Sequence, residues 1–346
     1  MVSRRIMPVF ETTIQVEQTG AIWLDAFCVP TNEPARTACL RKMGEIYRHA
    51  SLVIVVLSKS CLPAIKEIRT AGEVSESAML ALAADNWVTR IWTYQEMVNS
   101  NNVRFVCEGQ GNVWADGEEI LNHVGFAIHN YKKKMEYNGY KFQSVHPRID
   151  SLESLVLDWR IAAYSERSAY QVLCNVAHRD CRNQEDYFYA ITGAIGLSTP
   201  EMNGMVADHP AEFFMRVCEK KGDYSFIYTI GTRDSALGKS WRPVVSERFL
   251  PVFACSSWGE GQSADVCDGY IQLNNMVCMS AATLSADTRS FLMEWLQDAI
   301  NRDELQDLSQ RILHRLRQAD FTGTGDSIET ENGYFFVQSA VLQAVD

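Results

Sequence analysis

Trp92 and Glu96 stand four residues apart and fall on one face of a predicted helix. That face is not the apolar one, because Trp87, Ile91, Tyr94 and Val98 form a stripe on the opposite side. A tryptophan on the polar side of a helix calls for a reason. Beside a carboxylate it can form an aromatic wall for a flat ring, or shield a site from water. The Glu96 carboxylate can hydrogen-bond the hydroxyls of a ligand and stabilise positive charge that grows in a transition state. Arg90, earlier on the same segment, can hold Glu96 or a phosphate. Asp25 and Ser58 each follow an apolar run, and in open α/β sheets ligands sit beyond the carboxyl ends of strands. Each residue also has a plainer reading: Trp92 as core, Glu96 as helix surface, Asp25 as a cap or turn residue, Ser58 as a loop serine.

These side chains need elements to position them. Residues 21–26, Ala-Ile-Trp-Leu-Asp-Ala, read as a short buried strand. Thr31 or Asn32, with Pro34 behind, marks a helix start. Leu40, Met43, Ile46, Tyr47 and Ala50 then recur at helical spacing. Residues 52–57 are apolar throughout and mostly β-branched, the pattern of a strand covered on both faces in a parallel sheet. Strand, helix and strand within 21–57 make a predicted βαβ unit. A short helix is predicted over 76–84, a second over 87–99 capped by Asn86, and a strand over 103–107.

Beyond residue 108 the pattern changes. Residues 117–143 read as polar helix, 152–183 as one long helix or two, and 211–221 as helix. Residues 187–197 are apolar and end in Gly193 and Gly196. That pair reads as a helix terminus and not a phosphate loop, since no GxGxxG follows a strand. Residues 222–280 carry short β-like runs, 286–318 an amphipathic helix, and Tyr334-Phe335-Phe336-Val337 a strand. The predicted boundary lies near 145, between an α/β domain over 1–145 and a mainly helical, α+β C-terminal region over 146–346.

The chain has 346 residues, enough for two domains or one with a large extension. Hydrophobic residues at 47% and charged residues at 22% are those of a globular protein. A net charge of −11 lacks the basic footprint that displaces counterions from a duplex, so nucleic acid is not an expected partner. Lys132-Lys133-Lys134 reads as a solvated face. The ten cysteines include Cys28 and Cys107 inside apolar runs, as reduced, buried thiols are. There is no CxxC. Cys174, His178 and Cys181 share a helix face but have no evident fourth ligand, and core packing is the better reading. No metal and no cofactor is expected. The histidines show no spacing that suggests a Ser-His-Asp or Cys-His set. No apolar stretch reaches the roughly 18–20 residues of a membrane helix, and no h-region follows the N-terminal charges. The expected address is the cytoplasm, without a membrane partner.

Four patterns occur in order: Ile22-Trp23-Leu24-Asp25-Ala26-Phe27-Cys28; Met43-Gly44-Glu45-Ile46-Tyr47-Arg48-His49-Ala50, running into Val53–Leu57; Trp87-Val88-Thr89-Arg90-Ile91-Trp92-Thr93-Tyr94-Gln95-Glu96; and Asp186-Tyr187-Phe188-Tyr189-Ala190-Ile191-Thr192-Gly193. Together they resemble the HET (heterokaryon incompatibility) domain family, most specifically over 21–107. Gly222-Asp223-Tyr224-Ser225 and Ser240-Trp241-Arg242-Pro243 are similar to segments that often follow. The family's opening strand, ending in S-Y-x-W-G, has no counterpart in residues 1–20.

HET domains are in turn similar to TIR domains. Residues 50–58 look like the TIR segment S-x-x-V-I-V-V-L-S, Asp25 matches the end of the second TIR strand, and Trp92 and Glu96 match its W-x-x-x-E. The resemblance implies a TIR/flavodoxin-like parallel sheet flanked by helices. It implies cell-death or self/non-self signalling of the innate-immunity type and cleavage of NAD or NADP, as substrate, at the nicotinamide–ribose bond. Glu96 would then be catalytic, with Trp92, Asp25, Ser58 and Arg90 binding substrate, Ser58 at a ribose or phosphate oxygen. It also implies a homo-oligomer or a signalling protein partner. The same fold equally serves as a non-catalytic interaction module or a nucleotide sensor.

Overall fold

The computed structural model describes residues 21–137, 147–161 and 167–197, most of 202–251, and 261–267, 270–273, 329–330, 333–334 and Glu11. It is a mixed α/β structure, with many helices around one small sheet. The chain groups into two units: residues up to Arg167 with Asn175–Lys221, and Ser168–Cys174 with the residues from Gly222 onward.

The sheet of the first unit has three strands, β1 (Val53–Leu57), β2 (Val103–Cys107) and β3 (Gln110–Asp116). β1 and β2 run parallel, in register from Val53 opposite Val103 to Leu57 opposite Cys107. β3 returns antiparallel to β2 through a turn in which Gly109 takes a φ of +74°. The described sheet is thus small and mixed, not the wider parallel sheet expected. Val53, Val55 and Leu57 are buried while Ile54 and Val56 are half-buried, so one face of β1 is sealed and the other partly covered.

The strand predicted over 21–26 is not formed. Residues 21–24 are irregular and Asp25–Cys28 is a short helix, α1. The Leu24 carbonyl accepts the N–H of Phe27 at 2.9 Å and of Cys28 at 2.8 Å. Backbone groups that a strand would offer to a neighbour are spent within one turn, so the predicted βαβ unit does not form. The parallel crossover runs instead from β1 to β2 through the helices of 62–98.

The helix predicted after Pro34 is two helices, α2 (Ala35–Leu40) and α3 (Met43–His49). Neither Thr31 nor Asn32 caps α2 with its side chain; the Glu33 carboxylate accepts the Thr37 N–H at 3.1 Å. After β1 come α4 (Leu62–Ala71) and α5 (Glu76–Ala83), the latter capped by Ser75. The single helix predicted over 87–99 is also two, α6 (Asn86–Thr89) and α7 (Ile91–Val98). Its cap is Asp85, which accepts the Trp87 N–H at 2.8 Å, and not Asn86. The break at Arg90 has a distant cause. Asp180 donates its N–H to Thr89 O at 2.7 Å and accepts the Ile91 N–H at 3.1 Å, holding Arg90 extended.

Further helices are α8 (Gly117–Tyr137), α9 (Pro147–Ile161), α10 (Ala169–Val176), α11 (Gln184–Ala194) and α12 (Pro210–Lys221). Gly196, at φ +81°, follows the end of α11 as a helix-terminating glycine does. In the second unit, Asp223 accepts the Ala169 N–H at 2.5 Å and the Ser225 hydroxyl accepts the Tyr170 N–H at 2.9 Å. They satisfy donors that the first turn of α10 leaves open. Tyr224 and Trp241 pack at 5.9 Å, joining the two downstream segments noted above. This unit also holds short hairpins, including Ala264–Cys267 with Tyr270–Leu273. The predicted 286–318 helix lies outside the described residues; of the predicted C-terminal strand only Tyr334 is described, in the Gly333–Tyr334 strand paired with Glu329–Thr330.

Candidate functional site

Three helices hold the site, and each comes from one of the recurring patterns. α3, α7 and α11 pack on one another in the first unit. Their approach depends on glycines: a Cβ on Gly44 would lie 2.1 Å from the Gly193 carbonyl oxygen. Gln95 fills the third side, and a Cβ on Gly193 would lie 1.7 Å from its Oε1. Asn99 ties the same point by donating to Gly193 O at 2.9 Å. This crossing fixes the rotation of α7. Ile91, Tyr94 and Val98 are buried, and Trp92 and Glu96 are turned to a half-buried face.

Trp92 packs against Leu40, Met43 and Tyr189, with Val29 and Tyr47 beside it. Glu96 lies next to this apolar cluster. Its Oε2 accepts the Trp87 indole N–H at 3.2 Å, and its other oxygen accepts no hydrogen bond from a described residue. Burial pushes the Glu96 carboxyl up to about 7; the positive charge of Arg90 opposes this, the negative charge of Asp25 adds to it, and the Trp87 hydrogen bond opposes it. A glutamate of that kind is half ionised at neutral pH and suited to acid–base or charge-stabilising work. Burial, then Glu96 and Asp25, push the Tyr47 hydroxyl well above its ordinary range. Glu96, Asp25, Arg90 and Tyr47 therefore share one electrostatic neighbourhood walled by Trp87 and Trp92.

The matched family agrees with the sequence patterns. Residues 3–75 match the heterokaryon incompatibility protein (HET) family. No curated protein and no solved structure matches the chain. The HET match begins ahead of the 21–107 stretch that carries the first three quoted patterns, and it includes Asp25, Tyr47 and Ser58. Arg90, Trp92, Glu96 and the α11 pattern lie beyond it. The fold nevertheless packs α7 and α11 against α3, which belongs to the HET segment.

Ser58 stands apart from the other candidates. Its hydroxyl donates to Asp85 Oδ2 at 2.6 Å and its N–H to the same oxygen at 2.8 Å. Asp85 is buried and also accepts the Cys61 thiol at 3.4 Å. Ser58 therefore reaches Glu96 only through Asp85 and Trp87. Arg90 is exposed, and its guanidinium makes no hydrogen bond or ion pair with a described residue.

Three residues of this neighbourhood escape the spacing argument. Trp87 lies on the apolar stripe of a continuous helix, and only the break at Arg90 brings its indole to Glu96. Tyr47 reads as core, and its helical spacing carries no other signal. Asp85 was passed over for its neighbour Asn86, although an aspartate caps a helix as readily as an asparagine. Among the described residues, no group of His, Cys, Asp and Glu is arranged to hold a metal. Cys174 lies on α10, which ends at Val176 before His178 and Cys181. A cavity of about 480 Å³ lies elsewhere, lined by residues that include Glu73, His123, Phe126 and Lys134 and none of the candidates above. Among the described residues no helix is long and apolar enough to cross a membrane.

Proposed function

We propose that this chain is a HET module of the cell-death or self/non-self recognition type that hydrolyses NAD or NADP at the nicotinamide–ribose bond, with Glu96 as the catalytic residue. The observation that carries the reading is Glu96 itself: a half-buried carboxyl beside two tryptophans, with one oxygen bonded to Trp87 and the other without a hydrogen bond from a described residue. Heterolysis of the bond leaves its electron pair on nicotinamide and an oxocarbenium-like centre on the ribose, as in glycoside cleavage. Ionised Glu96 stabilises that centre and hydrogen-bonds the ribose hydroxyls. Water adds to the centre and gives up a proton. Trp92 supplies the wall for the flat ring, Arg90 meets a phosphate, and Asp25 tunes the field. Ser58 acts from further off, through Asp85.

Only the ionised form of Glu96 stabilises positive charge. Nicotinamide release should therefore rise with pH, with a midpoint near the carboxyl's value of about 7, and Glu96→Gln should abolish it. Release that is flat from pH 5 to 9, or that survives the substitution, contradicts the assignment. A second reading, a non-catalytic interaction module, is favoured by the position of the 480 Å³ cavity away from Glu96, with Phe126 66% exposed at its edge.

A further inference from the structure

We infer that Trp87 is the positioning residue for Glu96, holding one carboxylate oxygen by its indole N–H and being itself anchored to the end of β1 through Asp85. This inference rests on the reading of Glu96 given above. Three contacts fix Trp87. Its backbone N–H donates to Asp85 Oδ1 at 2.8 Å. Its ring meets Phe105 of β2 edge-on, with centroids 5.8 Å apart and planes at 89°. Its indole N–H donates to Glu96 Oε2 at 3.2 Å. Asp85 is held from its other side by the N–H and hydroxyl of Ser58, directly after β1. The path therefore runs from the sheet, through a buried carboxylate and an aromatic ring held edge-on against Phe105, to one oxygen of Glu96. Trp92 makes no such hydrogen bond with a described residue; it packs into the Leu40, Met43 and Tyr189 cluster. The two tryptophans thus divide the work: one orients the carboxylate and the other walls the site.

The indole is an uncharged donor, so it favours the ionised carboxylate without neutralising it. The charged and titratable groups around Glu96 are Asp25 from α1, Tyr47 from α3 and Arg90 ahead of α7. α11 contributes Tyr189 to the cluster beside Trp92, and α9 turns Asp158 to Tyr94 on the other face of α7.

The test is proton titration of the full chain by NMR, which stands or falls separately from nicotinamide release. The Glu96 carboxyl carbon is assigned by its loss in Glu96→Gln. In the native protein, the Trp87 indole N–H resonance should move with pH at the same midpoint as that carbon. In Trp87→Phe, which keeps a ring against Phe105 but has no donor, the Glu96 midpoint should rise by about one unit. An indole resonance indifferent to pH between 5 and 9 overturns the inference, whether or not the variant folds. So does an unchanged midpoint in a folded Trp87→Phe.

Discussion

Glu96 keeps its proton in the folded chain up to a pH of about 7, whereas an unfolded glutamate releases it near 4.5. Between those values the folded state binds more protons than the unfolded state, so stability falls as pH rises. The penalty is complete above the folded value and absent below the unfolded one. Its ceiling is about 3 kcal/mol, from 1.36 kcal/mol per unit. Glu96→Gln carries no such penalty. Urea unfolding should therefore show the variant gaining on the native protein between pH 5 and pH 8. A constant difference across that range would mean that Glu96 titrates as an exposed glutamate does. A residue that costs stability at working pH is what a site retains for function.

At the scale of elements, the crossing of α3, α7 and α11 decides which face Glu96 presents. Gly44→Ala puts a methyl group 2.1 Å from a backbone oxygen that cannot swing aside. It should destabilise by about 3 kcal/mol or more, in the range of severe overpacking. Gly193→Ala meets the end of a side chain, Gln95 Oε1 at 1.7 Å, which can yield, and thermal melts should show a smaller loss. Gln95 is fully buried, and neither end of its amide has a hydrogen-bond partner among the described residues. Gln95→Met keeps the length and removes the amide, so it should raise stability by about 1–2 kcal/mol.

Much of this level was legible. The helices predicted over 76–84 and 211–221 and the strand over 103–107 follow the hydrophobic pattern. The apolar 187–197 stretch lies largely on the 184–194 helix, which Gly196 follows, while Gly193 sits inside that helix at the crossing and does not end it. Residues 21–26 misled because a short apolar run does not distinguish a strand from other buried segments. The break at Arg90 is made by Asp180, ninety residues away, and no local pattern records it.

Across the whole molecule, the HET match covers 3–75, while Glu96 and the α11 pattern lie outside it. Segments far apart in the chain thus build one neighbourhood, and it is their packing, not any single motif, that assembles the candidate site. Trp92 and Glu96 share a half-buried face of α7 as their four-residue spacing predicts, and Arg90 and Asp25 reach Glu96 through their charges alone, Asp25 from a helix where a strand end was expected. Ser58 does not join them directly, because its polar atoms are committed to Asp85, a partner from another segment. The enzyme and the interaction-module readings separate most directly in one experiment: nicotinamide release from NAD by the full chain over a series of protein concentrations, with Glu96→Gln alongside. The account predicts release that is lost in the variant and that, if the chain works as an assembled homo-oligomer, rises more than proportionally with concentration. No release at any concentration, or equal release from the variant, would contradict it.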